Sequence, residues 1–197
     1  MILVEETQVP EAALPLDALK RHLRLGTGFA EDDVQDPVLA SFLRAAMAAI
    51  EARTSKALIT RGFLLTLDRW RHASEQTFPV SPVQSISEVT VIDGFGGAQT
   101  VEPERYRLIK DAFKPKLSAA GGTLPQIAEG GSVEIRFDAG HADAFDALPA
   151  DIAQAVLLLA AHYYEFRDDT SLGQGCMPFG VTSLIARYRP VRVGLGR

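Results

Sequence analysis

Apolar residues recur along this chain with two different periods, and the change from one to the other divides it into three stretches. The opening residues, to about Ala13, have no period and read as extended or mobile chain. After Pro15, the residues Leu16, Leu19 and Leu23 share one helical face, and Gly26 is placed to stop the helix. Gly26–Asp36 reads as a polar loop. Asp36-Pro37 fits an N-cap followed by a first-turn proline, and Val38, Leu39, Phe42, Leu43, Ala46, Met47 and Ile50 then form one stripe on a helix reaching about Lys56.

Near residue 60 the period falls to two. Phe63, Leu65 and Leu67 alternate with more polar neighbours, as Val133, Ile135 and Phe137 do later, so both segments are expected to be half-buried strands. Ile86, Val89 and Val91 mark another strand, and Gln99–Val101 and Tyr106–Ile109 are return strands. Asp93-Gly94-Phe95-Gly96-Gly97 is a turn supplying the glycine that positive φ requires. From Pro149 the helical period returns. Ile152, Val156, Leu159, Ala160 and Tyr163 line one face, Leu157, Leu158 and Tyr164 widen it, and the helix should end near Arg167. A Gly-rich loop, Thr170–Pro178, leads to a short helix Val181–Tyr188, stopped by Pro190. The pattern predicts an α+β fold, in which N- and C-terminal helices (about 15–58 and 148–190) form a small bundle and an antiparallel β region (about 60–140) is inserted between them. The whole is read as one domain with a C-terminal arm from about 170 to 197.

Composition changes this picture little. Apolar residues make up 47% and charged residues 23% of the 197, which is a globular profile. No apolar run approaches the length of a membrane span, the longest being Ala153–Ala161. The N-terminus carries Glu5, Glu6 and Glu11 and no basic region, unlike a signal peptide. A lone cysteine, Cys176, has no internal disulfide partner, so cytosolic folding is the expectation.

Charge adds more. The net value of −5 disfavours a general nucleic-acid binder. The first nineteen residues hold Glu5, Glu6, Glu11 and Asp17 with no base, whereas beyond Asp169 only arginines occur: Arg187, Arg189, Arg192 and Arg197. Oppositely charged ends suit interfaces, although solvated termini explain them as simply.

The search for chemistry yields weak signals. Asp138, His141 and Asp143 bring two carboxylates near one imidazole, but no second His or Cys cluster completes a metal set, and a polar strand-end loop accounts for them. His162 and Glu165 lack the second pair that a di-iron site needs. Gly94-Phe95-Gly96-Gly97 opens no helix and lacks a P-loop lysine, so a hairpin turn is the better reading. Cys176 has no adjacent base to activate it. Trp70 among Arg69, Arg71 and His72 has the composition of a nucleic-acid contact, against which the acidic chain argues. Neither catalytic residues nor cofactors are assigned.

Four blocks in a fixed order carry a resemblance. The first is Leu19-Lys20-Arg21-His22-Leu23-Arg24-Leu25 before an acidic loop. The second is Phe42–Ala46 with Ile50-Glu51-Ala52-Arg53-Thr54-Ser55-Lys56-Ala57-Leu58-Ile59 and Leu67-Asp68-Arg69-Trp70. The third is Phe78-Pro79-Val80-Ser81-Pro82-Val83 leading into Ser85–Val89. The fourth is Leu148–Arg167 with Pro178-Phe179-Gly180-Val181 and Tyr188-Arg189. Together, over roughly residues 16–192, they resemble the phage head–tail connector (adaptor) family, as found in long-tailed phages and gene transfer agents. Two departures are Tyr163, where tryptophan is commoner, and Thr54-Ser55-Lys56 in place of a Thr-Gly pair.

The resemblance implies a structural protein of the virion neck, made and assembled in the bacterial cytoplasm. It would form a ring, commonly of about twelve copies, beneath the portal protein. That ring would extend the DNA channel and offer a platform to the next neck or tail protein. The partners implied are the portal protein, neighbouring copies and that neck or tail protein. DNA passes without specific binding, and no membrane is involved. Phe179, Val181, Leu184, Ile185, Arg187, Tyr188, Arg189, Arg192 and Arg197 are the expected portal-docking element, because a Gly-rich hinge precedes them and their charge is one-sided. The alternative for this segment is a terminal helix packed on its own domain. Alternatives for the whole chain are a head-closure or tail-terminator protein, and, from a different class, a small metal-dependent or ligand-binding enzyme using Asp138, His141 and Asp143.

Overall fold

A computed structural model describes residues 1–25, 35–167 and 177–190. The fold is α+β, and the chain divides into two compact units: Met1–Val9 with Ile59–His141, and Pro10–Leu58 with Ala142–Arg197.

The first unit is all β. Its larger sheet has the order β1-β2-β8-β4-β5 and every pairing is antiparallel: β1 (Ile2–Glu5), β2 (Arg61–Leu67), β8 (Ser132–Ala139), β4 (Val83–Ile92) and β5 (Ala98–Thr100). The strict alternation of β8 places Val133, Ile135, Phe137 and Ala139 in the core. Phe63, Leu65 and Leu67 of β2 join them, with Phe63 stacked on Phe137 at 5.6 Å between ring centroids. Across the pleat, Arg136 is held by Glu6, Glu88 and Glu134 at 3.2–3.5 Å. A smaller sheet has the order β3-β7-β6, from β3 (Glu75–Thr77), β7 (Lys116–Ala119) and β6 (Tyr106–Ile109), with Leu117 wholly buried.

Three details differ from the sequence reading. Ile2–Glu5 is an ordered edge strand in register with Phe63–Thr66, not a structureless lead. Its acids are also committed within the unit, Glu5 to Arg61 and Glu6 to Arg136, so the acidic N-terminus is not simply solvated charge. The β region contains two sheets, because β3 and β7 form strands that have no apolar alternation of their own.

The second unit is helical: α1 (Leu16–His22), α2 (Asp36–Thr54), α3 (Ala150–Glu165) and α4 (Phe179–Ile185). Helix α2 packs on α3, α3 on α4, and α1 on both α2 and α3. The expected stripe on α2 is buried at Leu39, Leu43, Ala46, Met47 and Ile50. Val38 is exposed, and Phe42 lies edge-on to Tyr164 at 6.2 Å. Asp36 is not the N-cap: Gln35 takes that place, and the Asp36 carboxylate pairs with Lys20 of α1. Helix α1 ends before Gly26. Arg24 adopts φ +54°, its N–H donates to Arg21 O, and Leu25 N–H donates to Lys20 O, which is a Schellman closure built without glycine.

Candidate partner interface

Helix α4 starts where Pro178, extended at ψ 141°, turns the chain into the first helical residue, Phe179. Thr182 closes that first turn, its N–H and Oγ1–H both donating to Pro178 O. With seven residues α4 is too short to persist alone, so packing must hold it. Val181 and Ile185, four apart and 0% and 1% exposed, lie in the core of the helical unit, and Leu184 is half-buried.

The chain after α4 is fastened by a polar cluster. A 3-10 turn, Ala186–Tyr188, brings two side chains to Asp151 in the first turn of α3. The Arg187 Nε approaches Asp151 Oδ2 at 2.8 Å, and the Tyr188 hydroxyl donates to Asp151 Oδ1 at 2.8 Å. The Arg187 guanidinium also donates to the Tyr188 oxygen and stacks over its ring at 4.7 Å. Partial burial acts to raise the Asp151 pKa. The Tyr188 hydroxyl, the Ile152 N–H and the Arg187 charge together outweigh it and hold the carboxyl below its usual value. The Tyr188 phenol moves up, by burial first and then by its bond to Asp151.

These contacts sort the expected docking residues into three groups. Val181 and Ile185 are core residues, so they support the arm and present no surface. Arg187 and Tyr188 clamp the arm to α3, although the Arg187 side chain remains 68% exposed. Phe179, at 88% exposed, and Arg189 face outward. Arg192 and Arg197 lie outside the described residues, as does the Gly-rich segment from Thr170 to Cys176. The clamp residue Asp151 is not among the residues that the sequence reading above singles out. Its position in the first turn is the local signal, and its partners lie 36 and 37 residues away.

The other sequence candidates, among the described residues, have these contacts. Among the described residues no group of three or more His, Cys, Asp or Glu side chains is arranged to hold a metal ion. Asp138 instead accepts a hydrogen bond from the Ser85 hydroxyl at 2.8 Å, and His162 packs against the Phe166 ring at 4.7 Å. The Trp70 indole donates to Pro125 O at 2.7 Å. No helix among the described residues is long and apolar enough to cross a membrane.

No protein-family model and no curated protein matches the chain. Solved structures do. The chain is 50% identical to a component of the neck of an empty GTA particle computed with C6 symmetry, over 100% of both chains, with a TM-score of 0.90. It is likewise 50% identical to a chain in the virion of a native gene transfer agent particle, over 100% of this chain and 99% of that one, TM-score 0.87. A third match, in the neck of the native GTA particle computed with C12 symmetry, is 46% identical over 100% of both chains, TM-score 0.84. With identity near one half over the whole of this chain and the same fold, the chain belongs to the structural neck components of gene transfer agent particles.

Proposed function

We propose that the protein is a non-enzymatic head–tail adaptor that forms a ring beneath the portal, extends the DNA channel and presents a docking platform for the next neck or tail protein. The full-length likeness to neck components computed with C6 and C12 symmetry carries this reading, since rotational symmetry implies several copies around one axis. Charge agrees with it: a chain of net −5 does not grip the phosphates of DNA moving past it.

The portal-facing element in this reading is the outward side of the C-terminal arm, Phe179, Arg189 and the exposed Arg187, continued by Arg192 and Arg197, with Tyr188 clamping it to α3. Leu184 flanks it, and Val181 and Ile185 hold it in place. An aromatic ring presented beside arginines is the usual composition of an interface anchor. Deleting the whole of residues 178–197 would also remove core residues, so the test is Phe179→Ser combined with truncation after Tyr188. Portal protein should capture the full chain and fail to capture this variant, while the variant's thermal midpoint stays within about 2 °C of the parent. Undiminished capture would contradict the assignment of the arm.

A further inference from the structure

Phe95 has the most exposed large apolar side chain of the described residues, at 101%, and the turn carrying it is rigidly built. The turn joins β4 to β5. The Asp93 Oδ1 accepts hydrogen bonds from the N–H groups of Phe95 and Gly97, both at 2.8 Å, and Asp93 N–H donates to Gly97 O at 2.9 Å. Gly96, at φ +88°, completes it. The loop Glu129–Gly131 backs the turn so closely that a Cβ on Gly94 would lie 2.9 Å from Glu129 O, and one on Gly131 would lie 2.5 Å from Ile92 O. A solvated phenylalanine gains nothing for the monomer, and a preorganised one loses little entropy on docking.

A complementary feature lies in the same unit, on the other side of β8. Trp70, three residues beyond the end of β2, is fixed by its bond to Pro125 O and borders a cleft of about 480 Å³ lined by Leu124, Pro125 and Ile127. The rim carries Arg69, Arg71 and His72 against one acid, Asp68. The Phe95 turn and its backing loop hold Asp93 and Glu129 and no base over residues 93–100 and 129–131. Knob and cleft thus differ in shape and in charge sign. They also lie at one end of the sheet, since Leu67 and Val91 both pair with Val133. A rotation has no rise along its axis, so a knob and a hole at equal height allow successive copies to close into a ring when the strands run along that axis.

We propose that Phe95 of one copy inserts into the Trp70 cleft of the next copy, making a head-to-tail contact that closes the ring. This rests on the ring reading above. The test uses particles purified from cells that make them, with the full chain carrying Cys176→Ser, Phe95→Cys and Thr123→Cys, Thr123 being at the cleft rim. Mild oxidation should give a ladder of covalently linked copies on a non-reducing gel, and neither singly substituted chain should link. In parallel, Phe95→Ala should weaken ring assembly by about tenfold or more without moving the thermal midpoint of the isolated chain. Particles that contain the chain but give no ladder would overturn the interface and leave the neck assignment standing. Links from Phe95→Cys alone, or to a different protein, would overturn it as well. Particles without the chain would overturn both.

Discussion

Ser55 shows how a single residue carries both a resemblance and a strain. It sits just past α2 with φ +56°, in the left-handed region where glycine is at ease, and its N–H donates to Glu51 O. The Thr-Gly pair expected from the family pattern is therefore a backbone requirement, which serine meets here at some cost. Ser55→Gly should be tolerated without loss, and Ser55→Val should destabilise by about 1–2 kcal/mol, because a branched Cβ is least compatible with that conformation. Chemical denaturation of the three chains checks this. Asp151 offers a second test at this scale. Its pKa is lowered in the folded chain, so its contribution is complete above the usual carboxylate range near 4 and is lost as pH falls through the folded value. Asp151→Asn should therefore cost most stability at pH 7 and progressively less as the pH is lowered below about 4, as thermal melts of the two chains would show. A constant difference across that range would mean that Asp151 acts by shape and not by charge.

Elements with a strong period of their own were legible in the sequence, and those that depend on a distant partner were not. β8 alternates over eight residues, and each apolar position is buried. α3 shows its buried face as clearly, with Ile152, Ala155, Val156 and Leu159 inside. β1 and β3 are four and three residues long, and what makes them strands is pairing with β2 and β7 some tens of residues further along the chain, which a local pattern cannot encode. The same limit applies to the arm. A Gly-rich segment and a run of arginines point in sequence to a hinged docking element, and in the structure Val181 and Ile185 fasten α4 to the helical unit while the Asp151 clamp holds the turn that follows it. Anchoring and presentation thus reside on opposite faces of one short helix. Substituting Val181 by Ala should cost about 1–2 kcal/mol through lost burial, whereas Phe179→Ala should leave the thermal midpoint unchanged. Swapped outcomes would reverse the two roles.

At the scale of the whole molecule, each unit has its own core and, among the described residues, its own most exposed aromatic. The β unit presents Phe95 on a braced turn, and the helical unit presents Phe179 beside arginines. If the two proposals above hold, these residues are anchors on separate units, one for a second copy of the chain and one for a different partner. On the reading proposed above, such a division of labour would be the physical content of an adaptor, and it would need no reaction chemistry. The most direct measurement is native mass analysis of the full-length chain mixed with the portal protein. The account predicts one dominant species, a portal ring bearing a closed ring of this chain. A portal ring that stays bare, with the chain free at every concentration tried, would contradict it.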